Sequence, residues 1–325
     1  VIARLALGFV TDLRNKPFPV ALLRALRVGR VLASTAPRDL LGNDIYRQHV
    51  RAVASDDTFF FVAHRHFLAQ GLTARQRAAT ALHHYRHEAS AFDRRYADAV
   101  YRGRGLVLWR REVKGEHFDI RLQAGNDVLY EGGVSVVFHH NGRRVFVLSY
   151  SWVPTALFLP GDPSANTFFI ARKHAAADHD YQKVFHKAFD RTTPGHLCVA
   201  AAAGLAMACG HSHLVAVAAA RHPACTPQHA HHFEVAYDHF WQSLDGRPSS
   251  PFGYRIELPM RMTPLAELDA KARKRAIARR THIEAVRRAA SAVMREHLAR
   301  SPDARPPHAP RARTPADALE PSWDC

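Results

Sequence analysis

Residues 134–150 read VSVVFHHNGRRVFVLSY, two β-rich runs on either side of Asn141-Gly142. Asn-Gly suits a type I′ turn, which needs positive φ at both central residues, so the stretch predicts a β-hairpin. Strand side chains alternate, which puts Val134, Val136 and Phe138 on one face and Val137 on the other. Strands that are apolar on both faces are covered on both, so the hairpin is expected near the centre of its sheet. Upstream, HFDIRLQ (117–123) alternates Phe118, Ile120 and Leu122, as a half-buried strand does. Downstream, TFFIA (167–171), HLVAVAAA (213–220) and GYRIEL (253–258) predict three more strands.

Helical patterns surround these runs. Residues 73–101 predict a helix opened by Thr73, and a second helical stretch covers 181–190. The run DRTTPGHLCVAAAAGLAMACG (190–210) predicts one helix, capped by Thr192 or Thr193, with Pro194 in its first turn and Gly210 at its end. Residues 264–298 predict one long basic helix or a helix pair. FPVALLRALRVGRVL (18–32) predicts an amphipathic helix with Arg24, Arg27 and Arg30 towards water, read as docking on the domain rather than lying on a membrane. From Ser301 the chain is rich in Pro, Ala and Arg and has no apolar period, so residues 299–325 are expected to be a disordered tail. The expected architecture is an α+β domain over 46–298, a mixed central β-sheet flanked by helices, preceded by a helical N-terminal region over 1–45.

The charge balance narrows the partners. The 325 residues include 45 Lys and Arg against 29 Asp and Glu, a formal charge of +16, and 23 His that add charge on mild acidification. Such a surface attracts anions: RNA, anionic lipid or an acidic carrier protein. Four cysteines without a C-x-x-C predict a reducing compartment and buried thiols, hence a cytoplasmic protein, with peripheral contact at the inner membrane compatible with its charge. The longest apolar run, Leu197 to Cys209, is shorter than the roughly 20 residues a transmembrane helix needs. The N-terminus, which begins with Val1, shows no signal-peptide pattern.

Five blocks stand in a recognisable order: HHYRHE (83–88), LYEGGVSVVF (129–138), KAFDRTTPGHL (187–197), YDHFWQSLDG (237–246) and KARKRAIARR (271–280). Together they resemble the VirK/YbjX family of Gram-negative bacteria, and the Tyr-Asp-x-Phe-Trp block is the most specific of them. Gly133 stands where that family has a second Glu. ARKHAAA (171–177) replaces a Gly-Leu-Gln-Gly-like sequence after the strand. The resemblance implies a process rather than a reaction: virulence, envelope maintenance or resistance to cationic antimicrobial peptides.

The order hairpin, strand, loop, helix, buried strand, aromatic block is compatible with a GNAT-like acyltransferase. In that fold two adjacent strands splay and a thioester donor enters the gap. The helix start at Thr193 offers free N–H groups, and Arg172, Lys173, Lys187 and Arg191 could place charge beside a donor phosphate of acyl-CoA or acyl carrier protein. The usual GNAT phosphate loop, Arg-x-x-Gly-x-Gly or Ala, is absent, and the plain alternative is an ordinary capped helix in a sheet-helix layer. Candidate proton carriers are Glu131 and His140, with His139, on the hairpin and Tyr237 and Asp238 opposite. The competing reading makes Glu131 a turn residue and Tyr237, Phe240 and Trp241 core anchors.

Arg273, Lys274 and Arg275, with Arg287 and Arg288, form a basic helical face that suits phosphates of RNA, lipid A or a carrier protein, or else is merely solvated. The pairs His84/Glu88 and His83/His87 share helix faces, and His229, His231 and His232 follow Cys225. No H-E-x-x-H or closed zinc spacing occurs, so no metal is expected. The leading expectation is a VirK/YbjX-like protein of virulence, envelope maintenance or antimicrobial-peptide resistance, with GNAT-like acyl transfer as its candidate activity. The alternative is a non-enzymatic binder of anionic lipid or RNA, and a His-based metalloenzyme comes third.

Overall fold

The computed structural model describes residues 17–32, 39–40, 42–46, 67–125, 132–175 and 181–299. The expected tail beyond Ala299 and the candidate Glu131 lie outside the described residues. The strands are β1 (Leu106–Val113), β2 (Glu116–Ala124), β3 (Val134–His140), β4 (Arg143–Pro154), β5 (Asn166–Ala175), β6 (His213–Val217), β7 (Arg247–Ser250) and β8 (Gly253–Glu257). They form one sheet in the order β1-β2-β3-β4-β5-β6-β8-β7. Every neighbouring pair is antiparallel except β5 and β6. The principal helices are α1 (Phe18–Leu32), α2 (Ala74–Ala91), α3 (Gln182–Ala188) and α4 (Pro194–Ala208). They are followed by α5, a continuous run of Ala230–Phe233, a π turn over Glu234–Asp238 and His239–Gln242, and by α6 (Ala270–Glu296). Among the described residues no helix is long and apolar enough to cross a membrane.

The 134–150 hairpin is the third and fourth strand of eight. Asn141 and Gly142 both take positive φ, 49° and 75°, as the type I′ turn requires. Register makes the sheet two-sided. Val134, Val136 and Phe138 pair with Tyr150, Leu148 and Phe146, and all share one face with Phe118, Ile120 and Trp152. This aromatic face is covered by α4 on β3 and β4, by α2 on β4 and by α6, which packs on α4 and β1. The other face is buried as well, but its centre is polar. Ser135 and Ser149 lie directly opposite one another with hydroxyls 3.0 Å apart, beside Ser151, Val137 and Val147.

Several local expectations change in detail. The strand expected at 167–171 runs on to Ala175, so Arg172 and Lys173 sit on β5 and not in a loop. The strand expected over 213–220 stops at Val217, where a 3-10 turn over Ala219–Arg221 follows. The helix expected over 73–101 breaks after Ala91, because Asp93 adopts an extended conformation and accepts from the Tyr96 N–H to cap a new turn. Thr73 caps α2 in a reciprocal pair with Gln76. The stretch 264–298 gives one long helix over Ala270–Glu296, capped by Asp269, after a 3-10 turn over Leu265–Glu267.

The end of α6 returns to α2. Leu298 bridges Phe92, the Asp93 N–H donates to the His297 carbonyl at 2.9 Å, and the Ala299 N–H donates to the Ala91 carbonyl at 2.8 Å. The N-terminal α1 packs beside α2. Ala21 is its fully buried contact, while Phe18, Leu22, Leu23 and Leu26 are exposed. These four large apolar side chains therefore point away from the domain, although the helix docks through Ala21.

Candidate functional site at the split between β5 and β6

The parallel pair β5 and β6 is joined at only two positions, Phe169 with Val215 and Ile170 with Ala216. Opposite Ser149 and Tyr150 the register of β5 shifts and Ala171 is left over, a bulge that bends β5 just as it leaves β6. The N–H and C=O of Lys173 both bond the Tyr237 hydroxyl of α5, at 3.3 and 3.0 Å. The N–H and C=O of one strand residue point to the same side, so this is the edge a continuing β6 would have paired with.

His222 completes the site of Tyr237. Its Nδ1 accepts from the Ala224 N–H at 3.2 Å, so in the neutral ring Nε2 carries the proton and donates to the Tyr237 hydroxyl at 3.0 Å. Tyr237 thus accepts twice and donates once, and burial pushes its hydroxyl pKa up to about 12. The neighbouring Asp238 accepts from the Ala219 N–H at 2.7 Å, and desolvation raises its pKa. Trp241 is fully buried and donates to the Val217 carbonyl at 2.9 Å. The aromatic block is therefore a wedge that fills the split.

Being strand neighbours, Arg172 and Lys173 point to opposite faces of the sheet. Arg172 shares the serine-lined face with Ser149, and Lys173 shares the aromatic face with Leu148. The Lys173 ammonium lies 4.5 Å from the Phe240 ring centre and 5.2 Å from that of Tyr237. Burial pulls its pKa down to about 8. The Phe240 ring also meets His196, 5.0 Å between centres, in the first turn of α4. The His196 Nδ1 lies 2.7 Å from the Thr193 hydroxyl, and that hydroxyl accepts from the His196 N–H, which makes Thr193 the cap.

At this helix start lies a pocket of about 970 Å³, lined by Arg191, Thr193, His196, Arg261, Arg279 and Arg280, with Asp245 and Glu267 as its acidic members. Among the described residues Arg191, Arg261 and Arg279 form no ion pair. Arg280 instead donates to the Thr263 carbonyl. Asp190 and Arg191 both hold positive φ, 49° and 62°, a strained pair that turns the chain from α3 into α4 and sets Arg191 at the pocket.

The other predicted residues scatter. Lys187 is exposed on α3 and outside the pocket lining. Lys274 and Arg275 are exposed on α6, whereas Arg273 donates to the Leu265 and Leu268 carbonyls at 3.0 and 3.1 Å. His140 is at the turn end of β3, stacked on Phe118 with its Nε2 2.6 Å from Glu116. The hairpin histidine and the Tyr237–Asp238 pair are thus built into different places, held by different partners.

A buried polar cluster around Glu88 went unforeseen. Glu88 of α2 has no exposure and forms no ion pair among the described residues. Its carboxyl accepts from the Tyr96 and Tyr101 hydroxyls, both at 3.0 Å, and from Trp152 Nε1 at 3.1 Å. Desolvation outweighs these bonds and pushes its pKa up to about 7. Beside it, the His84 Nδ1 accepts from the Trp152 N–H at 3.3 Å, and the Trp152 ring meets both His87 and His211, at 4.6 and 5.1 Å between centres. Burial lowers the pKa of all three imidazoles. Among the described residues no group of three or more His, Cys, Asp or Glu is arranged to hold a metal ion. The signal in the sequence was the spacing of His84 and Glu88. Tyr96, Tyr101 and Trp152 come from separate segments that nothing local connects.

No curated protein and no solved structure matches the chain. A family model described as a protein of unknown function, DUF535, matches residues 44–289, which include the whole sheet, the split and the pocket. With most of its length matched, including every strand that forms the split, the chain belongs to the DUF535 family.

Proposed function

We propose that this DUF535 protein is a VirK/YbjX-type protein that holds the phosphate-bearing arm of an acyl thioester at the start of α4 and acts as a GNAT-like acyltransferase. The observation that carries the reading is the split of β5 from β6 beside a capped helix start and a cationic pocket. The positive dipole end of α4 suits phosphate oxygens, as do Arg191, Arg261 and Arg279, which form no ion pair among the described residues. The donor would be acyl-CoA or acyl carrier protein, and an acidic carrier would also meet Arg273, Lys274 and Arg275 on α6. The arm would lie towards Lys173, and Arg172 would face an acceptor from the serine-lined side. A role in virulence, envelope maintenance or resistance to antimicrobial peptides follows from the VirK/YbjX resemblance.

A second reading, a non-enzymatic binder of anionic lipid or RNA, is favoured by one observation. The Tyr237 hydroxyl already holds both main-chain groups of Lys173, so a donor arm must displace it or lie elsewhere.

The readings separate in binding assays with desulfo-CoA, holo acyl carrier protein, RNA and lipid A vesicles, run from about 50 to 200 mM salt. The acyltransferase reading expects Arg191→Glu with Arg279→Glu to abolish binding of desulfo-CoA and carrier, together with thiol release from an acyl thioester. Arg273→Glu, Lys274→Glu and Arg275→Glu should weaken the carrier alone. Absence of desulfo-CoA and carrier binding, with RNA or lipid retained, would establish the second reading instead.

A further inference from the structure

From α1 we infer a second functional surface: this helix lies in the plane of an anionic lipid bilayer and seats the protein on it. The inference is independent of the acyl-transfer reading. Phe18, Leu22 and Leu26 are spaced by four, so they form one stripe along the helix, and Leu23 widens it. Phe18 is 62% exposed, Leu23 53% and Leu26 54%, although Ala21 of the same helix is fully buried. An amphipathic helix normally turns its large side chains to the core and its small ones outward. Here the assignment is inverted, and the stripe is left for something other than this domain.

Charge selects the occupant. Between Asp12 and Asp39 the sequence has no acidic residue, but it carries Arg14, Lys16, Arg24, Arg27, Arg30 and Arg38. A second copy of the chain would bring an equally basic stretch of sequence towards its own like. RNA would satisfy the charges but leave the apolar stripe in water. An anionic bilayer satisfies both, with acyl chains under the leucines and head groups around the arginines. A helix of 15 residues is too short to cross the hydrocarbon layer, so an in-plane position is the one open to it.

The test is co-sedimentation of the whole chain with phosphatidylcholine vesicles, with or without phosphatidylglycerol. The wild type should pellet with the anionic vesicles and remain in solution with the neutral ones. Leu22→Glu with Leu26→Glu should lower binding by at least about tenfold, since the buried apolar area is lost. Replacing Arg24, Arg27 and Arg30 by Ser should cost roughly fivefold per residue, the weight of one basic group at such a surface. The Glu variant should keep the wild-type melting temperature, because Leu22 and Leu26 are exposed. A Leu23→Trp reporter should shift its fluorescence to the blue on binding. Arg191→Glu with Arg279→Glu should bind vesicles as the wild type does, which separates this surface from the pocket. The inference is overturned if the wild type ignores anionic vesicles, or if the Glu variant binds them equally. It is also overturned if the wild type is a dimer that the Glu variant dissolves without any vesicle binding.

Discussion

Replacing Glu88 by Gln should remove a specific pH dependence from the stability of the fold. The carboxyl is fully buried and its pKa stands at about 7 against an ordinary 4.5. Between those values the folded chain keeps a proton that the unfolded chain has released. The Glu88 contribution to stability is therefore greatest below about pH 4.5 and is lost as pH rises to about 7, at about 1.4 kcal/mol per unit. The whole window is worth roughly 3 kcal/mol, and above about pH 7 the loss is constant. Gln keeps a carbonyl for Tyr96 and Trp152 and presents an amide NH₂ where Tyr101 donated, so the Tyr101 hydroxyl must turn to accept. The variant has no proton to retain. Urea unfolding of both proteins from about pH 5 to about pH 8 gives the difference directly, since other titrating groups cancel between them. Wild type should lose stability relative to Gln up to about pH 7 and then run parallel to it. A difference that stays flat, or that moves towards wild type as pH rises, refutes the argument that Glu88 is held protonated.

The imidazoles around Trp152 act in the opposite sense. Burial and its neighbours hold the pKa of His87 down to about 4, so its contribution is fully present above about pH 6.5 and is lost as pH falls towards about 4; burial lowers His83, His84 and His211 too, and they act in the same sense. Melting temperature should fall across that range, and His87→Gln should flatten the fall. Trp241→Ala removes a fully buried indole and orphans the Val217 carbonyl. A loss of roughly 3–5 kcal/mol in denaturant unfolding is expected, and near-wild-type stability would show that the residue is not a core anchor. Gly204 lies where α4 crosses α6, and a Cβ there would run into the Arg287 carbonyl. Gly204→Ala should therefore cost more than the few tenths of a kcal/mol typical of exposed sites, with a calorimetric melt well below that of a Gly29→Ala control, whose Cβ meets nothing and whose φ is ordinary.

The hairpin was legible because its signals are local. Asn141-Gly142 dictates the turn, and alternating Val and Phe dictate the faces. The start of α4 at Thr193 and its end at Gly210, with φ of 83°, were equally local. β5 was read too short because Arg172, Lys173 and His174 look like loop residues. They remain in the strand because the bulge at Ala171 restores pairing with β4 after the shift. β1 and β7 are edge strands, half exposed and without a sustained apolar alternation, so their sequences carry little period to read. Of the site, Thr193 and Arg191 could be found from the helix start, but Arg261, Arg279 and Arg280 reach the pocket from a loop and from α6. Their convergence is a property of the packing, as is the closure of the split by Tyr237.

The return of α6 to α2 bears on where this protein can be cut. The family match stops at residue 289, inside α6. Beyond that point Met294 is fully buried, the His297 Nδ1 lies 3.0 Å from Asp93, and Leu298 bridges Phe92. Those contacts clasp the stretch that follows Glu88 and carries Tyr96. A recombinant fragment trimmed to the family boundary would leave Phe92 and Tyr96 bare and loosen the wall of the Glu88 chamber, inviting proteases at Asp93 and aggregation through the uncovered rings. Ten further residues would spare both. Among the described residues the contacts that close this end of the chain run to Ala299, past the point where family similarity fades.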